Sequence, residues 1–182
     1  MAFPPINIFS QHNDPEGTLL KLLELVPDAK VTRHPDGTWT EAHLTWKRGW
    51  MKKPLSMKAC HDSSYYSGED WLRQLAGMRG YFEKFENAAE RPDLFEFLPL
   101  LGFAFNFILD GDPEDKDPRI DTIFEMARHV DGVVFLPDRL LDSSGRVIVA
   151  ADGQNNSEAR LPSHVPVTID QRAVRCARIL DH

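Results

Sequence analysis

The chain has 182 residues, 42% of them hydrophobic and 10% aromatic, which suffices for one sizeable core and fits a globular domain in place of a wholly disordered chain. Its formal charge of -7 gives a surface that disfavours nonspecific binding to nucleic acid or to an anionic membrane. No apolar run approaches the ~20 residues that span a bilayer. Met1 to Pro5 lacks the basic and apolar regions of a secretion signal, and Cys60 and Cys176 have neither disulfide-framework nor CxxC spacing, so a cytoplasmic protein with buried free thiols is expected.

In chain order, Ile6–Ser10 reads as a short strand, and Asp14-Pro15 as a helix cap followed by a first-turn proline. Leu19, Leu20, Leu22, Leu23 and Val26 continue that helix to Pro27-Asp28. Ala29–Arg33 looks extended, Pro35-Asp36-Gly37 is a hairpin-type turn, and Thr38–Trp46 is rich in β-branched and aromatic residues. Leu55–His61 offers another strand. Trp71, Leu75, Met78, Phe82 and Phe85 then recur on one helical face between Gly68 and Phe85.

Asn87–Asp93 reads as a loop interrupted by Pro92, and Leu94–Leu101 as holding a short helical turn. Phe103–Leu109 alternates Phe103, Phe105, Phe107 and Leu109 with Ala104, Asn106 and Ile108, as a strand covered on both faces would. Asp117-Pro118 repeats the cap-and-proline start, with Ile120, Ile123, Phe124, Ala127 and Val130 as the buried stripe and Asp131-Gly132 as the stop. Val133–Leu136 is a buried strand that makes a strand-helix-strand unit with Phe103–Leu109. Leu140–Val149 is a hairpin turning at Asp142–Gly145, and a last helix begins near Thr168 or Asp170, with Ala173, Cys176, Ala177 and Leu180 on one face.

Residues 1–167 are therefore expected to form one α+β domain. Its architecture is a two-layer sandwich with a mixed, largely antiparallel sheet covered by helices and containing one β-α-β unit. Residues 168–182 form a C-terminal helix, docked or partner-facing.

The segment from Asp131 to Val149 resembles a stretch of bacterial proteins described only as carrying a domain of unknown function. Tyr66 to Met78 and Arg172 to Ala177 resemble the same proteins. The resemblance implies a bacterial origin and carries over no catalytic residue.

Phe107-Ile108-Leu109-Asp110-Gly111-Asp112 resembles the first motif of the haloacid dehalogenase-like phosphohydrolases, an apolar strand followed by Asp-x-Asp. The resemblance implies Asp110 as nucleophile at phosphorus, Asp112 as the acid that protonates the leaving group, and Asp152 as a third carboxylate for Mg2+. The chain departs from the pattern at Glu114, at Asn156, which replaces the second acid of the later loop, and at Val133–Leu136, which no Ser or Thr ends. Only 42 positions separate Asp110 from Asp152, too few for the usual intervening strand-helix units. The bland alternative gives Asp110, Asp112 and Asp117 ordinary work as turn formers and helix cap.

Asp110, Asp112, Glu114 and Asp121 also occupy positions 1, 3, 5 and 12 of a calcium-loop frame, but Asp115 stands where that loop needs Gly. Cys60-His61-Asp62 suggests a nucleophile and base, yet strand neighbours face opposite ways, so a buried Cys60 beside an edge or loop His61 is expected. His12, His34 and His43 share no metal-ligand spacing. Trp46, Lys47, Arg48, Trp50, Lys52 and Lys53 interleave aromatic and basic groups and form the candidate binding patch. The alternative is a solvated connection whose tryptophans pack back on the core.

The expected function is that of a non-catalytic binding or interaction domain, acting through a protein partner or self-association, without cofactor. The alternative is the Mg2+-dependent phosphohydrolase. Neither nucleic acid nor membrane is an expected partner.

Overall fold

A computed structural model describes residues 4–11, 14–50, 52–61, 69–85, 88–101 and 103–152. The expected C-terminal helix over 168–182, with Cys176, lies outside them, as do His12, Asp62 and Asn156.

β1 (Ile6–Ser10) leads into α1 (Pro15–Leu25). The Asp14 carboxylate accepts from the Gly17 N–H at 2.9 Å, and Pro15 sits in the first turn, where no amide donor is required. β2 (Lys30–Arg33), β3 (Trp39–Trp46) and β4 (Leu55–Cys60) form the expected meander, and α2 (Glu69–Phe82) follows. The stretch expected to be a loop is more ordered. Ala88–Glu90 makes a 3₁₀ turn, and Pro92 occupies the first turn of α3 (Pro92–Phe97), because a proline that cannot continue a helix is well suited to start one.

β5 (Phe103–Leu109), α4 (Pro118–His129), β6 (Val133–Leu136), β7 (Arg139–Leu141) and β8 (Val147–Ala150) complete the described chain. In the β7–β8 turn, the buried Asp142 carboxylate accepts from the Ser144 and Arg146 amides, both at 2.9 Å. α4 ends where Asp131 takes a left-handed conformation (φ 46°) and Gly132 presses against β1. A β-carbon on Gly132 would approach the Phe9 carbonyl oxygen to 2.9 Å, so close packing requires glycine there.

The eight described strands form one sheet in the order β2-β3-β4-β5-β1-β6-β7-β8, which with its helices makes an α+β fold. Among the described residues every paired neighbour is antiparallel, so the sheet is largely antiparallel as expected, and only its expected mixed character is corrected. β5 and β6 run in the same direction, yet β1 lies between them and pairs with both. β1 suits that interior place because it is apolar on both sides: Ile6 and Ile8 point to one face and Phe9 to the other.

Those two faces carry separate cores. Leu19, Leu22 and Val26 from α1 and its C-cap join Ile123, Met126 and Ala127 of α4 over Ile8, Leu44, Phe105 and Phe107. Met78 and Phe82 of α2 and Leu94 and Phe97 of α3 pack instead over Phe9, Ala104, Val133 and Leu140. Among the described residues, the second core stops short of one half of the sheet. Ile108 is 40% exposed, so β5 is not covered along both faces as expected, and beyond it the Lys58–Glu41 ion pair (2.9 Å) occupies the strand surface.

Candidate functional site

β3, β4 and β5 are consecutive antiparallel neighbours, so the connection from Trp46 to Leu55 and the loop after Leu109 leave the sheet at the same end. The stretches singled out as acidic site and basic patch are thus side by side. Arg48 and Glu114 form an ion pair between them. The Asp110 amide donates to the Ser56 carbonyl at 3.0 Å, and the Ser56 hydroxyl donates to the Asp110 carboxylate at 3.1 Å.

The acidic loop is organised from inside by a residue the sequence reading did not single out. Arg119 lies in the first turn of α4 and is fully buried. Its Nη1 donates to the carbonyl of Asp110 at 2.7 Å and to that of Ser56 at 3.3 Å. Its Nη2 donates to the carbonyl of Asp112 at 3.1 Å and to the Asp117 carboxylate at 2.7 Å. Asp117 also receives the Arg119 amide at 2.9 Å and the Glu114 amide at 3.1 Å, and both side chains of the pair are 0% exposed.

This arrangement has an electrostatic reading. Burial pushes the Asp117 carboxyl up, but the hydrogen bonds from Arg119 and Glu114 and the guanidinium charge together hold it below its ordinary value. A buried charge pair needs its remaining donors satisfied, and the loop carbonyls do this for Arg119. Carbonyl and carboxylate oxygens that in another loop would gather round a metal here surround the chain's own cation. The sequence did contain a signal: an arginine two positions after the N-cap aspartate, at the helix end where the backbone dipole disfavours positive charge, calls for a compensating anion.

Asp110 and Asp112 are neighbours in this loop and both are exposed. Asp152 is not with them. It follows β8 at the far edge of the sheet, with β1, β6 and β7 between β8 and β5, which at the usual strand spacing is roughly 19 Å away. Asp152 lies instead 4.0 Å from Arg139. The carboxylate set of the phosphohydrolase reading is therefore not brought together, and of the calcium frame Glu114 is engaged by Arg48. Among the described residues, no group of three or more His, Cys, Asp and Glu side chains is placed to hold a metal ion.

Cys60 and His61 separate as strand geometry requires, but His61 is the more buried of the two, against the expectation of an edge or loop position. Its ring lies 5.4 Å from Trp39 and 5.9 Å from Phe105. Burial pushes the Cys60 thiol up, with Lys58 opposing, so it is not an activated nucleophile. His34 and His43 are exposed, and His43 lies 3.5 Å from Glu41.

The candidate patch divides. Trp46 packs against the α1/α4 core, and Arg48 is engaged with Glu114. At the tip the Lys52 amide donates to the Gly49 carbonyl at 2.9 Å, closing a turn that presents Trp50 fully to solvent. Lys47, Lys52 and Lys53 are exposed around it. No helix among the described residues is long and apolar enough to cross a membrane. No protein-family model, no curated protein and no solved structure matches this chain.

Proposed function

We propose that the chain is a non-catalytic interaction domain that engages an anionic protein surface through the β3–β4 hairpin tip. The observation that carries this reading is the fully exposed Trp50 among Lys47, Lys52 and Lys53, on a tip anchored by Trp46 in the core and by Arg48 on Glu114. An exposed tryptophan is a large, rigid, amphipathic contact group, and neighbouring lysines attract carboxylates while discouraging strand pairing. The net charge of -7 favours a protein partner over a polyanionic nucleic acid. A bacterial, cytoplasmic protein is part of the same proposal and rests on the sequence alone.

The test is titration with acidic and neutral peptides, read by tryptophan emission. Binding of acidic peptides, weakened by salt and lost in Trp50→Ala, is expected. Mg2+-dependent hydrolysis of a generic phosphoester, abolished by Asp110→Asn, would overturn the reading.

A further inference from the structure

We infer that the partner of this end of the sheet is a second copy of the chain, in a reversible two-fold dimer; the inference rests on the interaction-domain reading above. The observation behind it is that the surface carries both signs side by side. The basic lobe presents Lys47, Lys52 and Lys53 with Trp50, while the adjoining loop presents Asp110, Asp112 and Asp115, with Lys116 among them. Arg48 and Glu114 neutralise each other along the seam.

A surface with a basic half and an acidic half is self-complementary under a two-fold rotation. The operation lays each basic lobe on the other copy's acidic lobe, so both contacts are attractive at once. It also carries Trp50 onto the opposing acidic loop, where half-buried Pro113 offers apolar surface between carboxylates. The acidic lobe is suited to this use because its shape is set from within: Arg119 holds the Asp110 and Asp112 carbonyls, while the carboxylates of Asp112 and Asp115 are exposed. Two loops supply fewer than the roughly 20–30 residues a side typical of stable complexes, so the dimer is reversible and salt-sensitive.

The experiment is sedimentation analysis of the full chain and two charge-reversed variants, Lys52→Glu/Lys53→Glu and Asp112→Lys/Asp115→Lys. The wild-type chain is expected to dimerise at low salt and dissociate as salt rises. Each variant alone faces like charge across both contacts and is expected to weaken dimerisation about a hundredfold or more. An equimolar mixture restores both contacts, so a heterodimer should form, and its recovery shows that both variants are folded. A wild-type chain monomeric at every concentration, or a dimer indifferent to both reversals, would overturn the inference. A monomer that still binds acidic peptides through Trp50 would do so while leaving the interaction-domain reading standing. Phosphoester hydrolysis lost in Asp110→Asn would remove that reading and leave a measured dimer intact.

Discussion

The two loops at the Trp46/Leu109 end of the sheet share an address and differ in what their polar groups do. The acidic loop has the composition of a site, yet its carbonyls and Asp117 turn inward to a fully buried arginine. The basic hairpin holds Trp46 against the core and Arg48 on Glu114, yet it leaves Trp50 wholly in solvent. The difference teaches that acidic residues after an apolar strand have no fixed meaning until the nearest cation is located. Where that cation is internal, the loop is a rigid support, and the surface beside it is what can act.

The largest effect should come from emptying the support. Arg119→Met leaves Asp117 buried without its counter-charge and several carbonyls without donors, and should cost about 3–5 kcal/mol in denaturant unfolding. A loss under 1 kcal/mol would break the contrast between the loops.

The same pair predicts a pH limb. Because Asp117 titrates below its ordinary 3.8 when folded, the unfolded chain binds the proton first as pH falls. Its stabilisation is complete above the unfolded value and is lost as pH drops through the lower folded one. Asp117→Asn should flatten that part of the acid-unfolding curve, and an unchanged slope between the two chains would count against the assignment.

Gly111 offers a smaller test. Its φ of +82° sits in the left-handed region with open space around it, so Gly111→Ala should cost about 1–2 kcal/mol through backbone strain alone, visible as a lower melting temperature. Glu114→Ala removes the ion pair with the partly exposed Arg48 and should change stability by at most about 1 kcal/mol. Trp50→Ala should leave stability within about 0.5 kcal/mol while abolishing binding, since its ring packs on nothing in the free chain. A Trp50→Ala chain that unfolds much more easily would make the ring a structural group and remove the main distinction between hairpin and loop.

Much of the local structure is legible in the residues themselves. Asp14-Pro15 and Asp117-Pro118 start helices, and Asp142–Gly145 turns a hairpin, because capping and turn chemistry act over a few positions. Met78 and Phe82 are buried as their helical spacing requires, while Phe85, expected on the same helix, is buried just beyond its end at Phe82. Ile108 escapes the same logic. Alternation marks which residues share a strand face, but whether a helix lies over that face depends on where α2 and α3 dock on the sheet.

The site divides in the same way. Asp110 and Asp112, one glycine apart, are local facts, as is the basic and aromatic content of Trp46–Lys53. Their juxtaposition, and the distance to Asp152, depend on strand order. The sequence by itself determined the elements, their caps and the composition of each loop, because those follow from interactions between near neighbours. Only the tertiary structure decided that β1 enters between β5 and β6 and that Arg119 fills the acidic loop. The physical reason is that pairing partners and burial are settled by competition among contacts across the whole chain.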